Sequence, residues 1–269
     1  MPCDSTNSAK INSDLYFIAG FRTAPLFMEE FRVSLQGRLE KAGARVRSKL
    51  LFPYGDWSRG PVSQLLEIRR DMRLSPDRLE RSIGGRHVLE AITRDREASL
   101  HEEDSRGREG CEDRERPRLP ILIGHSGGGV AAVHASSLLL ARMGGTPCPV
   151  VMIGSPKCRI PDELRGSVLY LHAARRRGRE GRQVVYSDPV TRLGTFGGWH
   201  SPGSRRWRTW RRDQHAPGNI VSVPIVGGHA DYFRSRAPFI DGNGLSNLDL
   251  ISEEVWHWLM KMRLLAPPL

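Results

Sequence analysis

Cysteine is scarce in this chain: there are four in 269 residues, at Cys3, Cys111, Cys148 and Cys158. No two of them form a C-x-x-C pair, and no ligand spacing supports zinc. This argues against a disulfide-stapled or zinc-built fold, and reduced thiols are expected. Long apolar runs are missing as well. None approaches the ~20 residues that span a bilayer. The segment MPCDSTNSAKINSD has no apolar stretch of the kind a secretory signal carries, so a cytoplasmic protein is expected. There is no G-x-x-x-x-G-K-[ST] phosphate loop and no internal repeat.

Acidic residues are also in the minority. Lys and Arg number 41 against 30 Asp and Glu, a net charge of +11, and the isoelectric point is near 10.1. The excess is mostly arginine and concentrates in ARRRGREGR (174–182) and SRRWRTWRR (204–212). With Trp207 and Trp210 interleaved, these loops suit contact with an anionic polymer or membrane surface, or are simply solvated. No obligate nucleic-acid partner follows from them.

The chain nevertheless holds enough apolar residues, 39%, to bury a core. Six apolar runs read as strands: DLYFIAG (14–20), RVRSKLLFP (45–53), LPILIG (119–124), PVVMIGSP (149–156), SVLYLHAA (167–174) and NIVSVPIVGGH (219–229). Pro224 marks the last as an edge strand or a bulge. Helical spacing follows the first run up to Gly43. It recurs over residues 62–98, where Ser75-Pro76 and Gly84-Gly85 are expected breaks. The helix after the third run carries small residues at Gly128, Ala131, Ala132 and Ala135, which allow close approach to a sheet. Ser246 and Asp249 open a final amphipathic helix. Residues 96–118, almost wholly charged, read as an exposed insertion or frayed helix end. Strands alternating with helices predict an α/β fold: a mainly parallel sheet of about six strands with helices on both faces. One domain over residues 14–269 is expected, behind a flexible segment 1–13.

Binding sites in such sheets lie at the carboxyl ends of the strands. There the sequence reads Gly124-His125-Ser126-Gly127-Gly128, a G-x-S-x-G pattern between a strand and a helix. A serine on so tight a turn needs neighbours without side chains. It also needs a base. His229, just past the last strand, is the best placed of nine histidines. His200 and His215 compete, whereas His125 and His134 lie inside the turn and its helix. An acid between serine and histidine is supplied by Asp188 in SDPV, with Asp162 as the alternative.

On the GHSGGG turn, the order Ser126, Asp188, His229 and a first strand ending in FIAGF, the chain resembles the α/β-hydrolase superfamily. The resemblance runs from about residue 14 to the final helix. It implies a compact member lacking the early antiparallel strands. It further implies a carboxylic-ester hydrolase of esterase or lipase type, acting on a small-molecule ester through Ser126, His229 and Asp188 with no metal or organic cofactor. The Gly127 amide and that of Phe21 or Arg22 would receive the oxyanion. The alternative is a binding protein on a hydrolase-like fold that works through the Arg/Trp-rich loops.

Overall fold

The computed structural model describes residues 12–105, 118–174, 188–201 and 207–262. Six strands, β1 (Asn12–Ile18), β2 (Arg45–Leu51), β3 (Leu119–His125), β4 (Val150–Ile153), β5 (Val168–Ala173) and β8 (Asn219–Val223), form one sheet in the order β2-β1-β3-β4-β5-β8. Every pairing in it is parallel. Two short strands, β6 (Gly198–His200) and β7 (Thr209–Arg211), make a separate antiparallel ribbon with Trp199 opposite Trp210. The helices are α1 (Glu29–Lys41), α2 (Pro61–Met72), α3 (Ile83–Ser105), α4 (Gly127–Met143) and α5 (Asn247–Lys261).

Alternation along the strands sends neighbouring side chains to opposite faces of the sheet. Leu15 and Phe17 of β1 pack with Phe31 and Leu35 of α1 and with Ile251, Val255 and Leu259 of α5. Tyr16 and Ile18 join the other core, with Ile68 of α2, Val88 and Ile92 of α3 and Val130 and Val133 of α4. Each such buried side chain contributes roughly 1.5–3 kcal/mol. Parallel strands covered on both faces account for the nearly continuous apolar runs in the sequence. The α/β architecture and the six expected strands are therefore present.

Several boundaries differ from expectation. The sheet begins at Asn12, so residues 12 and 13 belong to it. β2 ends at Leu51 rather than Pro53. β8 stops at Val223, immediately before Pro224, and lies at the sheet edge. This suits a residue with no N–H to donate. Residues 96–105 continue α3, and Arg118 pairs with Asp14 at 2.7 Å. The rest of the charged insertion, 106–117, lies outside the described residues, as do 175–182 and 204–206 of the basic segments. The expected loop 204–212 is instead a strand at residues 209–211.

Gly84-Gly85 does not break the helices; both residues sit in the first turn of α3. The expected break at Ser75-Pro76 is present, between α2 and a short 3-10 helix (Pro76–Arg81), and the second falls at Ser82, where the buried Asp71 carboxylate acts as the cap. It accepts hydrogen bonds from Tyr54 Oη (2.9 Å), Ser82 Oγ (2.9 Å) and the amides of Ile83 (3.0 Å) and Gly84 (2.8 Å). A side chain at Gly84 would lie 2.4 Å from the Tyr54 ring. The glycine thus serves close packing where sequence pattern suggests a breaker.

Candidate functional site

β3 ends at His125, α4 begins at Gly127, and Ser126 is the hinge between them. Its φ of 55° and ψ of −132° lie in a region that costs a non-glycine residue about 1–3 kcal/mol. The turn is held from both sides. Ser126 N–H donates to Ile153 O of β4 (3.0 Å), and Gly129 N–H donates to Ser126 O (3.1 Å). Gly124 and Gly128 make the turn possible by close approach. A Cβ on Gly124 would lie 2.4 Å from the Gly128 backbone, and one on Gly128 would lie 2.0 Å from Ile18 O. Any side chain at either position would push α4 off the sheet.

His229 lies in the loop after β8. Its Nδ1 is 2.9 Å from Asp188 Oδ2. The Asp188 side chain is fully buried and also accepts from Tyr232 Oη (3.0 Å) and Val190 N–H (2.8 Å). Burial pushes this carboxyl upward. The hydrogen bond and charge of His229, with the Val190 and Tyr232 donors, outweigh burial and hold it below 3.8. The network therefore places the His229 proton on Nδ1 and leaves the Nε2 lone pair free to accept. Buried Asn247, in the first turn of α5, clamps the loop by bonding to Val226 N–H (2.8 Å), Val226 O (2.7 Å) and Asp231 O (2.7 Å).

Ser126, Gly127, Phe21 and His229 all line one cavity of about 700 Å³. Its other walls are largely apolar, from Leu65, Ile68 and Met72 of α2 and from Val190 and Leu193. Ser126 Oγ is not hydrogen bonded to His229; the two side chains open onto the same space. Of the two amides weighed beside Gly127, that of Arg22 is engaged. It donates to the buried Gln64 Oε1 at 2.8 Å, which fixes the left-handed turn at Arg22 (φ 44°). Phe21 N–H makes no hydrogen bond among the described residues. Gly127 opens α4, so its N–H has no acceptor within the helix.

The rival candidates lie elsewhere. Asp162 is exposed and sits 3.8 Å from Arg165. His200 is on β6, and neither it nor His215 lines the cavity. His134 is buried against Ser82 Oγ (2.9 Å). His125 stacks on His229, and burial, aided by the His229 charge, pushes it down to about 3. Sequence reading missed Tyr232, Gln64 and Asn247. Only Tyr232, three residues past His229, carried a usable signal.

Cys148 and Cys158 are buried free thiols; burial pushes Cys148 up to about 11 and Cys158 to about 12. Cys3 and Cys111 lie outside the described residues. No helix among the described residues is long and apolar enough to cross a membrane. Compared with models of known protein families and with curated proteins, the chain matches none.

Proposed function

We propose that this chain is a serine hydrolase of the α/β-hydrolase type that cleaves a carboxylic ester. One observation carries the reading: a serine on a strained strand-to-helix turn shares a cavity with a histidine whose far nitrogen is bonded to a buried carboxylate. As Ser126 Oγ bonds to the ester carbon, its proton passes to His229 Nε2. Asp188 keeps the imidazole in its tautomer and stabilises the imidazolium. The amides of Gly127 and Phe21 receive the oxyanion at the positive end of α4; losing one such donor costs about 2.7–4 kcal/mol of transition-state stabilisation. The C–O bond then breaks, and His229 returns the proton to the departing alcohol. Water, deprotonated by His229, releases the acid from Ser126.

A fluorophosphonate probe tests this. Labelling is expected on the wild-type chain and absent from Ser126→Ala. Labelling that survives this change overturns the assignment. A panel of p-nitrophenyl esters of increasing length then ranks acyl chains.

A second reading, contact with an anionic surface, is supported by the ribbon. Trp199 and Trp207 are 64% and 83% exposed beside Arg208, Arg211 and Arg212. Retention on heparin or anionic vesicles that falls steeply with salt supports it. Retention on neither removes it.

A further inference from the structure

Three arginines line the same cavity, and among the described residues no carboxylate does. Arg69 lies in the last turn of α2 and Arg73 caps that helix, a spacing of one turn that puts the two side by side. Arg159 comes from the segment after β4, where its Nε donates to Gly197 O at 3.1 Å. None of the three forms an ion pair among the described residues. Some arginines elsewhere do meet carboxylates: Arg59 meets Glu67 at 2.6 Å, Arg38 meets Glu253 at 2.7 Å, and Arg47 and Arg118 share Asp14. Glu67, the one glutamate of α2, is paired with Arg59 and so does not neutralise Arg69.

Positive charge gathered at a concave, largely apolar wall focuses a field on whatever enters. The volume, about 700 Å³, is in the range that holds a small molecule. Leu65 and Leu193, both more than half exposed, form an apolar rim. Guanidinium groups match the oxygens of phosphate in paired, charge-assisted hydrogen bonds.

We infer that the substrate is an anionic amphiphile: an acyl ester carrying a phosphate group, with its apolar part between α2 and Leu193 and its phosphate held by Arg69, Arg73 and Arg159. The bond broken rests on the hydrolase reading; the anion bound does not. The phosphate takes no part in the bond exchange.

The test compares 1-octanoylglycerol with 1-octanoylglycerol 3-phosphate below their micellar concentrations. Octanoate release gives kcat/KM for each, and calorimetry on Ser126→Ala gives affinity without turnover. The phosphate ester is expected to lead by about tenfold or more in both measurements, as charge-assisted hydrogen bonds allow. The lead should shrink with salt. It should fall towards unity in R69Q/R73Q/R159Q and persist in large part in R69K/R73K, which keeps the charge. Because the ratio is internal to each protein, a general loss of activity cancels. Equal affinity and equal kcat/KM for the two glycerides in the wild-type chain overturn the inference and leave the hydrolase reading standing. Tight, arginine-dependent binding of the phosphate ester with no hydrolysis of either glyceride does the reverse.

Discussion

The imidazole of His125 stacks on that of His229, with centroids 4.8 Å apart and planes 25° from parallel, and its Nε2 lies 3.2 Å from the His229 backbone carbonyl. One ring thus sets both the tilt of His229 and the path of its loop. His125 is neutral, because burial and the His229 charge push it down to about 3. The carbonyl contact requires the proton on Nε2, which leaves buried Nδ1 as a lone pair with no partner among the described residues. In the proposed enzyme His125 is a positioning residue. His125→Phe keeps a ring among Phe27 and Phe233 but removes the donor. A hydrogen bond worth about 1 kcal/mol then predicts a roughly fivefold lower kcat with KM nearly unchanged. His125→Gln, with an amide nitrogen in the Nε2 position, restores most of the rate. Steady-state kinetics on a p-nitrophenyl ester decide it; a change confined to KM contradicts this role.

Asp188 and Asp162 separate cleanly by the same assay. Asp188→Asn leaves the shape but allows the wrong His229 tautomer, so kcat should fall on the order of 10⁴-fold. Asp162 is exposed and remote from the cavity. Asp162→Asn should alter kcat by no more than about twofold, the scale of an exposed ion pair. A large loss with Asp162→Asn and a small one with Asp188→Asn would exchange their roles.

Much of this arrangement was legible in the sequence because local pattern and sheet topology agree. Each strand is a buried apolar run, and the parallel order brings Ser126 and the loops bearing His229 and Phe21 to one edge. Asp188 was legible only through chain order and its turn-forming Ser-Asp-Pro context. What escaped depends on contacts between segments distant in sequence. Gln64 fixes a turn 42 residues away, and Asn247 fixes a loop about 20 residues away; each looks like an ordinary polar residue of a helix. The α3 start was misread because Gly84-Gly85 signals a break locally, whereas Tyr54, from a separate segment, requires the missing side chain. The arginines at the cavity were hidden by the general arginine excess. Their convergence on one cavity is visible only in three dimensions.

Asp71 is the strongest candidate for a purely structural polar residue. Its carboxylate is fully buried and satisfies four donors from two segments: Tyr54, and the run of the Ser82 hydroxyl with the first two amides of α3. Removing it leaves those groups buried without an acceptor. Asp71→Ala should cost about 3–5 kcal/mol, comparable to breaking a buried polar network. The urea midpoint measures this. A cost below about 1 kcal/mol, the scale of a single net hydrogen bond, contradicts the capping role.

Acid should destabilise the chain well before its carboxylates titrate. His125 and His134 are held neutral by burial, His134 against the opposing pull of Asp71, and their folded values are pushed down from 6.5 to about 3 and about 4. The sign follows directly. Above pH 6.5 neither state is protonated and stability is at its full value. Between pH 6.5 and 4 the unfolded chain binds protons that the folded one refuses, so stability falls as pH falls. Each buried histidine contributes a slope of about 1.4 kcal/mol per pH unit within that window. In His134, Nδ1 donates to Ser82 Oγ, whose own hydrogen goes to Asp71, and Nε2 has no partner among the described residues. His134→Leu removes one titrating group at the cost of that single bond. Urea midpoints at pH 7, 6 and 5 should therefore show the slope of stability against pH reduced by about 1.4 kcal/mol per unit in the variant. An unchanged slope would mean that His134 takes up a proton in the folded chain, contrary to its burial.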